Sequence, residues 1–346
     1  MTDSKKAVLY MFLSIIAFST QNYIVKTIAG QLSSYQILFF RSFPVLIISF
    51  YLIIKSKENI FKKKKKLLIL RSIVGTTSLI LFYEAIKFLD VGIAVSVRYV
   101  SPIFAIFMAV VILKNELKPI NIFTSVFAII SLFIISGFAN NINLTGVLLA
   151  IFSALLISVS WVLVSKIGSN VSPIVIVFYF AFFSTFAGLF LSIYSWNPID
   201  PVLLPKLIAL GMLGYVASLY LTKAFQLGDP KKIAPFQYFE ILITMIFGFL
   251  FINESYSFLT VFGALLLIFS LMITFLDVDD SGTIDIHDFT LIKSKLDKNN
   301  DGKLDRKDLL IMLDKNKDGK LDYKDLIMII KNRINFIIKI FSNLLK

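Results

Sequence analysis

Ten apolar stretches of about twenty residues follow one another along residues 1–276, and short polar connections separate them. In hydrocarbon every backbone N–H and C=O must be paired within the chain, and a helix of about 20 residues does this while crossing the bilayer. The chain is 57% hydrophobic, whereas soluble domains have roughly 45–50% apolar residues. We therefore predict an all-α membrane protein. The ten predicted transmembrane helices are residues 7–28, 35–54, 67–88, 91–113, 120–138, 147–165, 173–195, 205–223, 233–252 and 258–276.

Lysines are distributed unevenly among the connections. If the N-terminus is cytoplasmic, fifteen of them lie at the cytoplasmic side and three at the outer side. Cytoplasmic loops carry an excess of positive charge, so we predict a multi-pass protein of the plasma or inner membrane with both termini cytoplasmic. The cytoplasmic lysines are Lys5, Lys6, Lys55, Lys57, Lys62 to Lys66, Lys114, Lys118, Lys166, Lys223, Lys231 and Lys232, and the outer ones are Lys26, Lys87 and Lys206.

An internal repeat relates residues 82–116 to residues 221–254, so that Tyr99 corresponds to Tyr238. Each half of the chain would hold five helices, an odd number, and the second half would therefore enter the membrane from the opposite side. Inverted repeats of this kind recur in secondary transporters, with the binding site between the halves. The predicted five-helix repeats are residues 1–138 and 139–276.

Charged and polar side chains interrupt several of these apolar stretches. A charge at the bilayer centre costs about 2.5–3.5 kcal/mol, so such a residue usually faces the protein interior. Near the middle of the bilayer, Arg41 and Arg98 are predicted to bind a carboxylate or phosphate of a substrate, and Glu240 to face an amino group or carry a coupling proton. The alternative is a structural Arg–Glu pair that locks the halves together. The other substrate-binding candidates are Asn22, Tyr99, Trp161, Gln237 and Tyr238.

Three further residues lead to structural expectations. Arg71 is close to the cytoplasmic end of the third span, from which its long side chain is expected to reach the lipid headgroups. The alternative is a role in the substrate site. Pro102 and Pro235 fall inside the fourth and ninth spans, where a proline leaves a carbonyl unpaired and kinks the helix. Kinks at these two positions would permit bending during transport, although they also occur in static membrane helices.

Both halves contain short motifs near or within their predicted spans. They are Phe39–Arg41, Ala85, Leu89, Arg98–Phe104 and Asn115–Glu116 in the first half, and Lys223–Phe225, Ala234–Pro235, Tyr238, Glu240 and Asn253–Glu254 in the second. Together with the order of spans, they resemble the EamA-type drug/metabolite transporter family over about residues 7–275. The resemblance implies ten helices around a central cavity, with alternating access for amino acids, nucleotide-like metabolites or drugs. Within that family, Ala-Pro-x-x-Tyr-x-Glu at residues 234–240 is similar to the S-adenosylmethionine uptake group.

The C-terminal tail contains three copies of a twelve-residue calcium-loop pattern, which begin at Asp277, Asp297 and Asp314. Such loops need oxygen ligands at alternate positions, a glycine at the sharp turn and an acid at position twelve. Position twelve is Asp here, one methylene shorter than the usual Glu, so we expect weaker calcium binding or less discrimination against magnesium. The predicted ligands are Asp277, Asp279, Ser281, Thr283, Asp285, Asp288, Asp297, Asn299, Asp301, Lys303, Asp305, Asp308, Asp314, Asn316, Asp318, Lys320, Asp322 and Asp325.

The spacing of these loops leaves room for one short helix between them, so residues 277–325 resemble EF-hand or dockerin-like calcium modules. Residues 326–346 are apolar with interspersed basic residues, which predicts an amphipathic basic helix on the inner leaflet. Because the first loop directly follows the tenth span, calcium could modulate transport. The alternative is an ion-stabilised appendage, or a docking module for a protein partner.

Composition excludes several classes of function. The chain has no cysteine and a single histidine, which rules out disulfides and thiolate metal sites and argues against a His-based catalytic centre. The net charge of +13 comes with lysines beside apolar spans, so no nucleic-acid partner is expected. We predict a secondary transporter, not an enzyme, whose partners are the lipid bilayer and a small polar metabolite resembling an amino acid or nucleoside derivative. The alternative is a membrane-anchored calcium sensor or scaffold without transport.

Overall fold

The structure is a computed structural model, and it describes residues 3–28, 31–60, 64–89, 94, 97–114, 116–136, 143–252, 258–276, 281 and 285–297. The chain divides into two compact units, Met1–Thr274 and Phe275–Lys346. The first unit contains the apolar spans, and the second contains the tail.

All regular secondary structure in these described residues is helical. The α-helices are α1 Asp3–Ile28, α2 Ser34–Lys55, α3 Lys65–Phe88, α4 Ser101–Leu113, α5 Pro119–Ser136, α6 Leu144–Ile167, α7 Pro173–Ser192, α8 Leu204–Leu227, α9 Pro230–Ile233, α10 Tyr238–Ile252, α11 Phe258–Leu276 and α12 Ile286–Leu296. Short 3₁₀ turns occupy Gly168–Asn170, Ile193–Ser195, Pro201–Leu203 and Ala234–Gln237.

Seven helical segments of the described chain are long and apolar enough to cross a membrane. They are α1, α2, α3, α6, α7, α8 and the segment that contains α9 and α10. The predicted fourth span is shorter than expected, because α4 begins only at Ser101 and has 13 residues, while much of the preceding stretch lies outside the described residues. Helix α5 has 18 residues and α11 has 19. The count of ten membrane-crossing helices stays a prediction.

Both prolines lie close to an interruption of a helical segment. Val97 and Arg98 are helical, Tyr99 and Val100 form a turn, and Pro102 lies in the first turn of α4, where the missing N–H would have no acceptor within the helix. Pro235 does lie at an interruption, because α9 ends at Ile233 and a 3₁₀ turn separates it from α10. Asp229 caps α9 by accepting a hydrogen bond from the Lys231 backbone N–H at 3.0 Å. The ninth span is therefore a discontinuous helix that leads directly to Glu240.

Helix packing in the first unit follows a two-fold pattern. The most extensive contacts pair α1 with α8, α3 with α6, and α2 with α7. Suppose that α6, α7 and α8 are the equivalents of α1, α2 and α3. Exchanging the two halves then converts the α1–α8 pair into the α3–α6 pair and leaves the α2–α7 pair unchanged. The α2–α7 contact is very close, since a Cβ on Gly188 would lie 2.8 Å from the backbone nitrogen of Phe39. The contacts between helices therefore respect the repeat seen in the sequence.

Lysines also join the two halves where the predicted cytoplasmic ends of the helices lie. The Lys64 Nζ donates a hydrogen bond to the carbonyl of Ile167 at 2.9 Å, and the Lys231 Nζ donates one to the carbonyl of Glu116 at 2.9 Å. Each bond supplies a cationic donor to a carbonyl at or beyond the C-terminal end of a helix, where orphan carbonyls carry partial negative charge. These side chains thus have local contacts besides any influence on topology.

In the second unit, helix α12 begins at a reciprocal pair of aspartates. Asp285 Oδ1 accepts hydrogen bonds from the backbone N–H groups of His287 at 2.8 Å and Asp288 at 3.4 Å. Asp288 Oδ2 accepts one from the backbone N–H of Asp285 at 3.1 Å. This is a capping-box arrangement that satisfies donors of the first helical turn.

Candidate functional site

The Glu240 carboxylate is the centre of a polar cluster inside the first unit. The Asn22 Nδ2 donates a hydrogen bond to Glu240 Oε1 at 2.8 Å, and the Tyr99 hydroxyl makes a hydrogen bond to the same carboxylate. The Ser19 hydroxyl donates a hydrogen bond to the Glu240 backbone carbonyl at 3.3 Å. Helix α1, the segment before α4 and the start of α10 therefore meet at one acidic side chain.

Two arginines lie around this carboxylate. Arg98 and Arg41 both interact electrostatically with Glu240, and in the described chain neither guanidinium comes within 4.0 Å of its carboxylate oxygens. The Arg98 guanidinium lies 4.3 Å from the centre of the Phe82 ring, and that of Arg41 lies 5.5 Å from the Phe18 ring. Stacking on a ring holds a guanidinium without consuming its hydrogen-bond donors. Two cations near one anion leave this cluster with an excess of positive charge.

The matching tyrosines of the repeat come together beside the cluster. Tyr99 and Tyr238 belong to one buried apolar cluster that also contains Ile103. A cavity adjoins Tyr238, and its lining includes Ser125 from α5 and Ser270 from α11. Tyr238 thus lines a small, partly open cleft.

The cluster lies nearer to one end of α1 than to its middle. Asn22 is six residues before Ile28, the last residue of a 26-residue helix, which corresponds to about 9 Å of helical rise. The depth of Glu240 in the bilayer stays a prediction.

Two candidate residues have other neighbours. The Gln237 Nε2 donates a hydrogen bond to the Met11 sulfur at 3.1 Å, and Gln237 is 4% exposed. The Trp161 indole stacks on the Phe225 ring, with centroids 5.3 Å apart and planes inclined by 17°. The structure thus joins Asn22, Tyr99 and Glu240 by direct hydrogen bonds, and it gives Gln237 and Trp161 different partners.

Arg71 is not where the sequence placed it. Its side chain is only 5% exposed, and its guanidinium lies 4.4 Å from the centre of the Phe180 ring of α7. The expectation that it extends to the lipid headgroups is wrong, because α6 and α7 pack against α3 at this point. The distance from a helix end suggested a free side chain, and only the packing of neighbouring helices shows that it is enclosed.

Four of the predicted calcium ligands lie within the described residues. Ser281 is in an exposed bend, Asp285 and Asp288 form the capping pair of α12, and Asp297 follows that helix and is largely buried. Within the described residues no group of three or more His, Cys, Asp or Glu side chains could hold a metal ion. The candidates outside the described residues are Asp277, Asp279, Thr283, Asn299, Asp301, Lys303, Asp305, Asp308, Asp314, Asn316, Asp318, Lys320, Asp322 and Asp325, as is the predicted helix 326–346.

Comparison with known proteins settles the family. Residues 5–137 and residues 144–276 each match the EamA-like transporter family. The chain belongs to this family. It is therefore an integral, multi-pass membrane protein of a transporter family and not an enzyme, and its repeat consists of two EamA segments.

Similar curated proteins are transporters from distant organisms. The chain is 26% identical to human solute carrier family 35 member G1 over 286 residues, which cover 75% of this chain and 76% of that protein. It is 24% identical to the pseudopaline exporter CntI of Pseudomonas aeruginosa over 270 residues, 76% of this chain and 94% of that one. It is 25% identical to the S-adenosylmethionine uptake transporter of Rickettsia conorii over 274 residues, 78% of this chain and 93% of that one.

A solved crystal structure has the same fold. Its TM-score is 0.70 at 14% sequence identity, and the match covers 80% of this chain and 98% of the other. Identity this low supports the fold alone.

Proposed function

We propose that this EamA-family member is a secondary transporter that carries a small polar metabolite, resembling an amino acid or nucleoside derivative, by alternating access. The observation that supports this most directly is the Glu240 carboxylate, which receives hydrogen bonds from two other elements and has Arg98 and Arg41 near it. Ionisable groups in membrane spans usually mark substrate or ion pathways. Here they meet at the end of a discontinuous helix, as in many transporter sites.

The chemistry of this cluster suggests a substrate with groups of both charges. Arg98 and Arg41 would bind a carboxylate or phosphate, since their hydrogen-bond donors suit planar oxyanions. Glu240 would face an amino group of the substrate, or its carboxylate would instead carry a coupling proton. Tyr99 and Tyr238 would pack against a planar part of the cargo. The relatives named for S-adenosylmethionine and pseudopaline suggest the first compounds to test.

The architecture that we propose for this activity has ten membrane-crossing helices in two inverted repeats, residues 1–138 and 139–276, with both termini cytoplasmic. The two-fold pattern of helix contacts supports it, as do the paired family matches over residues 5–137 and 144–276. In such an arrangement the site would open to either side as the two halves rock against each other.

Uptake of a labelled metabolite panel into proteoliposomes tests the transport proposal. The panel should contain S-adenosylmethionine, amino acids and nucleoside derivatives, and efflux from preloaded vesicles should be measured alongside uptake because the relatives include both an exporter and an uptake transporter. We expect at least one compound to be transported, and expect Glu240→Gln and Arg98→Ala to lower the initial rate by about 100-fold, since each removes a charged contact worth about 1.5–3 kcal/mol.

A matched control is Glu58→Gln, which neutralises an exposed acid in the connection after α2. We expect this variant to transport at the normal rate. Transport that is unchanged in both Glu240→Gln and Arg98→Ala would refute the proposed site, and a chain that moves no compound of the panel would favour the membrane-anchored scaffold.

A second proposal concerns the tail. We infer that residues 277–325 bind calcium, or magnesium with less discrimination, and that the bound ion modulates transport or stabilises a docking module for a protein partner. The support is the capping pair at α12, since Asp285 and Asp288 correspond to positions nine and twelve of the first loop pattern, where an EF-hand loop joins its outgoing helix. The three-fold recurrence of the pattern in the sequence is the second support.

Calcium titration of the full-length protein by calorimetry tests this. We expect saturable binding in roughly the micromolar to millimolar range, with loss of one site in Asp288→Asn and no loss in Glu58→Gln. Absence of heat at millimolar calcium would refute the calcium site. If binding occurs but transport in proteoliposomes is the same with calcium and with chelator, modulation would be refuted and the docking module retained.

A further inference from the structure

A second level along the helix axes of the first unit contains buried polar groups that have no hydrogen-bond partner among the described residues. Arg71 is 5% exposed, and its Nε and Nη1 atoms have no hydrogen-bond partner among the residues that the structure describes. The Phe180 ring lies against the guanidinium at 4.4 Å, and a ring face does not accept all of its donors. A buried cation without an anion is costly in any protein interior, because desolvation is not compensated.

Two more donors of this kind lie at the same level on neighbouring helices. The Ser160 hydroxyl donates a hydrogen bond to the Arg71 carbonyl at 3.4 Å, so Trp161, the next residue of α6, is level with Arg71. Trp161 stacks on Phe225 of α8, and Thr222 lies one turn earlier on that helix. Within the described chain, Trp161 Nε1 and Thr222 Oγ1 are buried without a hydrogen-bond partner.

This level is well separated from the Glu240 cluster. Helices α1 and α8 run antiparallel, since Ser14 bonds to the Ala217 carbonyl at 3.0 Å and Gln21 bonds to the Leu210 carbonyl at 2.8 Å. In that register Thr222 is level with about residue 9 of α1, thirteen residues before Asn22. At 1.5 Å per residue the two levels are about 20 Å apart along the helix.

We propose that Arg71, Trp161 and Thr222 form a second binding site for an oxyanion, which takes the carboxylate or phosphate of a small metabolite. All three are hydrogen-bond donors when they bind an anion, and each buried polar group without a partner needs an explanation. The site lies toward the end of the bundle at which α3 begins. It rests on the proposed function only for the identity of its natural ligand, because the cargo would meet this site on its way past Glu240.

The packing around Arg71 holds its backbone in place. A Cβ on Gly75, one turn after Arg71, would lie 3.1 Å from the Phe180 ring and 3.1 Å from the Ser160 hydroxyl. Helices α3, α6 and α7 therefore approach closely beside the guanidinium, and the site has a rigid support on one side. Small oxyanions fit this arrangement better than a lipid headgroup, because only 5% of the Arg71 surface is exposed.

Tryptophan fluorescence of the purified full-length protein tests binding without requiring transport. The chain has two tryptophans, and Trp196→Phe leaves Trp161 as the only reporter. In neutral detergent we expect inorganic phosphate or succinate to give a saturable change in emission, with sodium chloride at equal ionic strength as the control. Arg71→Gln should weaken the apparent affinity about tenfold or more, since it removes a charge-assisted contact, and Arg71→Lys should retain part of it.

Several outcomes would overturn the site. One is the absence of a saturable response in a monodisperse protein, and another is an equal response in Arg71→Gln. If Arg71 variants are aggregated, Thr222→Val provides the second test. We expect it to lower the affinity for phosphate or succinate a few-fold, and an unchanged affinity would count against the site. A response in lipid nanodiscs to added phosphatidylglycerol, without one to phosphate or succinate, would assign the level to a lipid headgroup and refute the metabolite site.

The two proposals fail separately. Glu240→Gln is expected to leave the Trp161 fluorescence titration unchanged, because the Glu240 cluster and the Arg71 level are about 20 Å apart along the direction of α1. If no compound is transported and the Trp161 fluorescence still responds to phosphate or succinate, the proposed function is refuted and the anion site is retained. If transport depends on Glu240 and the Trp161 fluorescence shows no saturable response, the proposed function is retained and the anion site is refuted.

Discussion

The two polar levels of the membrane unit differ in how their buried groups are satisfied. Around Glu240 the donors and the acceptor lie on the same chain, so that Asn22 and Tyr99 both bond to the carboxylate. Around Arg71 the structure has donors without acceptors, since Trp161 Nε1, Thr222 Oγ1 and the Nε and Nη1 atoms of Arg71 have no hydrogen-bond partner within the described residues. The hydrogen bonds around Glu240 therefore hold three elements together without a ligand. The donors around Arg71 that lack acceptors instead lower the stability of the ligand-free protein, and a bound anion would remove this cost.

The largest effect on stability is expected where a satisfied bond is broken. Asn22→Leu would remove a donor from the Glu240 carboxylate and should lower the free energy of unfolding by about 1–3 kcal/mol. Thr20→Val is the matched control on α1, because within the part of the chain that the structure describes the Thr20 hydroxyl bonds only to its own helix, to the Ile16 carbonyl at 2.8 Å. It should change stability by less than about 0.5 kcal/mol. Unfolding in mixed micelles measures both, and equal losses would show that the Asn22 bond has no special weight.

The two levels should respond with opposite sign when an arginine becomes methionine. Arg71→Met removes a buried cation without an anion and should raise the free energy of unfolding of the empty protein by about 1–2 kcal/mol. Arg98→Met removes a cation that interacts with Glu240 and should lower it. Saturating phosphate should reduce the advantage of Arg71→Met, because a bound ligand stabilises only the protein that binds it. Losses in both variants would contradict the comparison.

The smallest test concerns single donor groups on two aromatic side chains. Tyr99→Phe removes a hydroxyl that bonds to Glu240, and about 1 kcal/mol should be lost. Trp161→Phe removes an N–H without a partner and preserves an aromatic ring against Phe225, so the unfolding midpoint in detergent should shift much less. A greater loss for Trp161→Phe than for Tyr99→Phe would mean that indole packing outweighs the hydrogen-bond difference.

Much of the candidate cluster was predictable from sequence for a simple reason. A charge such as Glu240 or Arg98 is conspicuous in a run of apolar residues, and its cost in hydrocarbon directs it toward the protein interior. Asn22 was visible for the same reason, as a break in an apolar face. The partner of each group was not predictable, since the Asn22–Glu240 bond joins residues 218 positions apart and depends on how α1 packs against α10.

Residues near the helix ends were harder to place. The sequence indicates how far Arg71 lies from the start of its span, but it does not indicate that Phe180 of α7 covers it. Pro102 shows a similar limit: the sequence predicts a kink there, but it does not indicate that the break falls at the turn Tyr99–Val100, just before α4 begins at Ser101. One-residue differences in a helix boundary decide such cases.

The sequence by itself determined that this chain is helical and embedded in a membrane, since only paired backbone survives in hydrocarbon, and that its two halves are related, since motifs recur at matching places. It also identified the charged residues that lipid would not tolerate. Only the tertiary structure decided that Asn22 and Tyr99 bond to Glu240, while donor atoms of Arg71, Trp161 and Thr222 have no hydrogen-bond partner in the described chain. The physical reason is that a side chain's solvation is set by what neighbouring helices bring to it, and helix packing joins residues that are far apart in sequence.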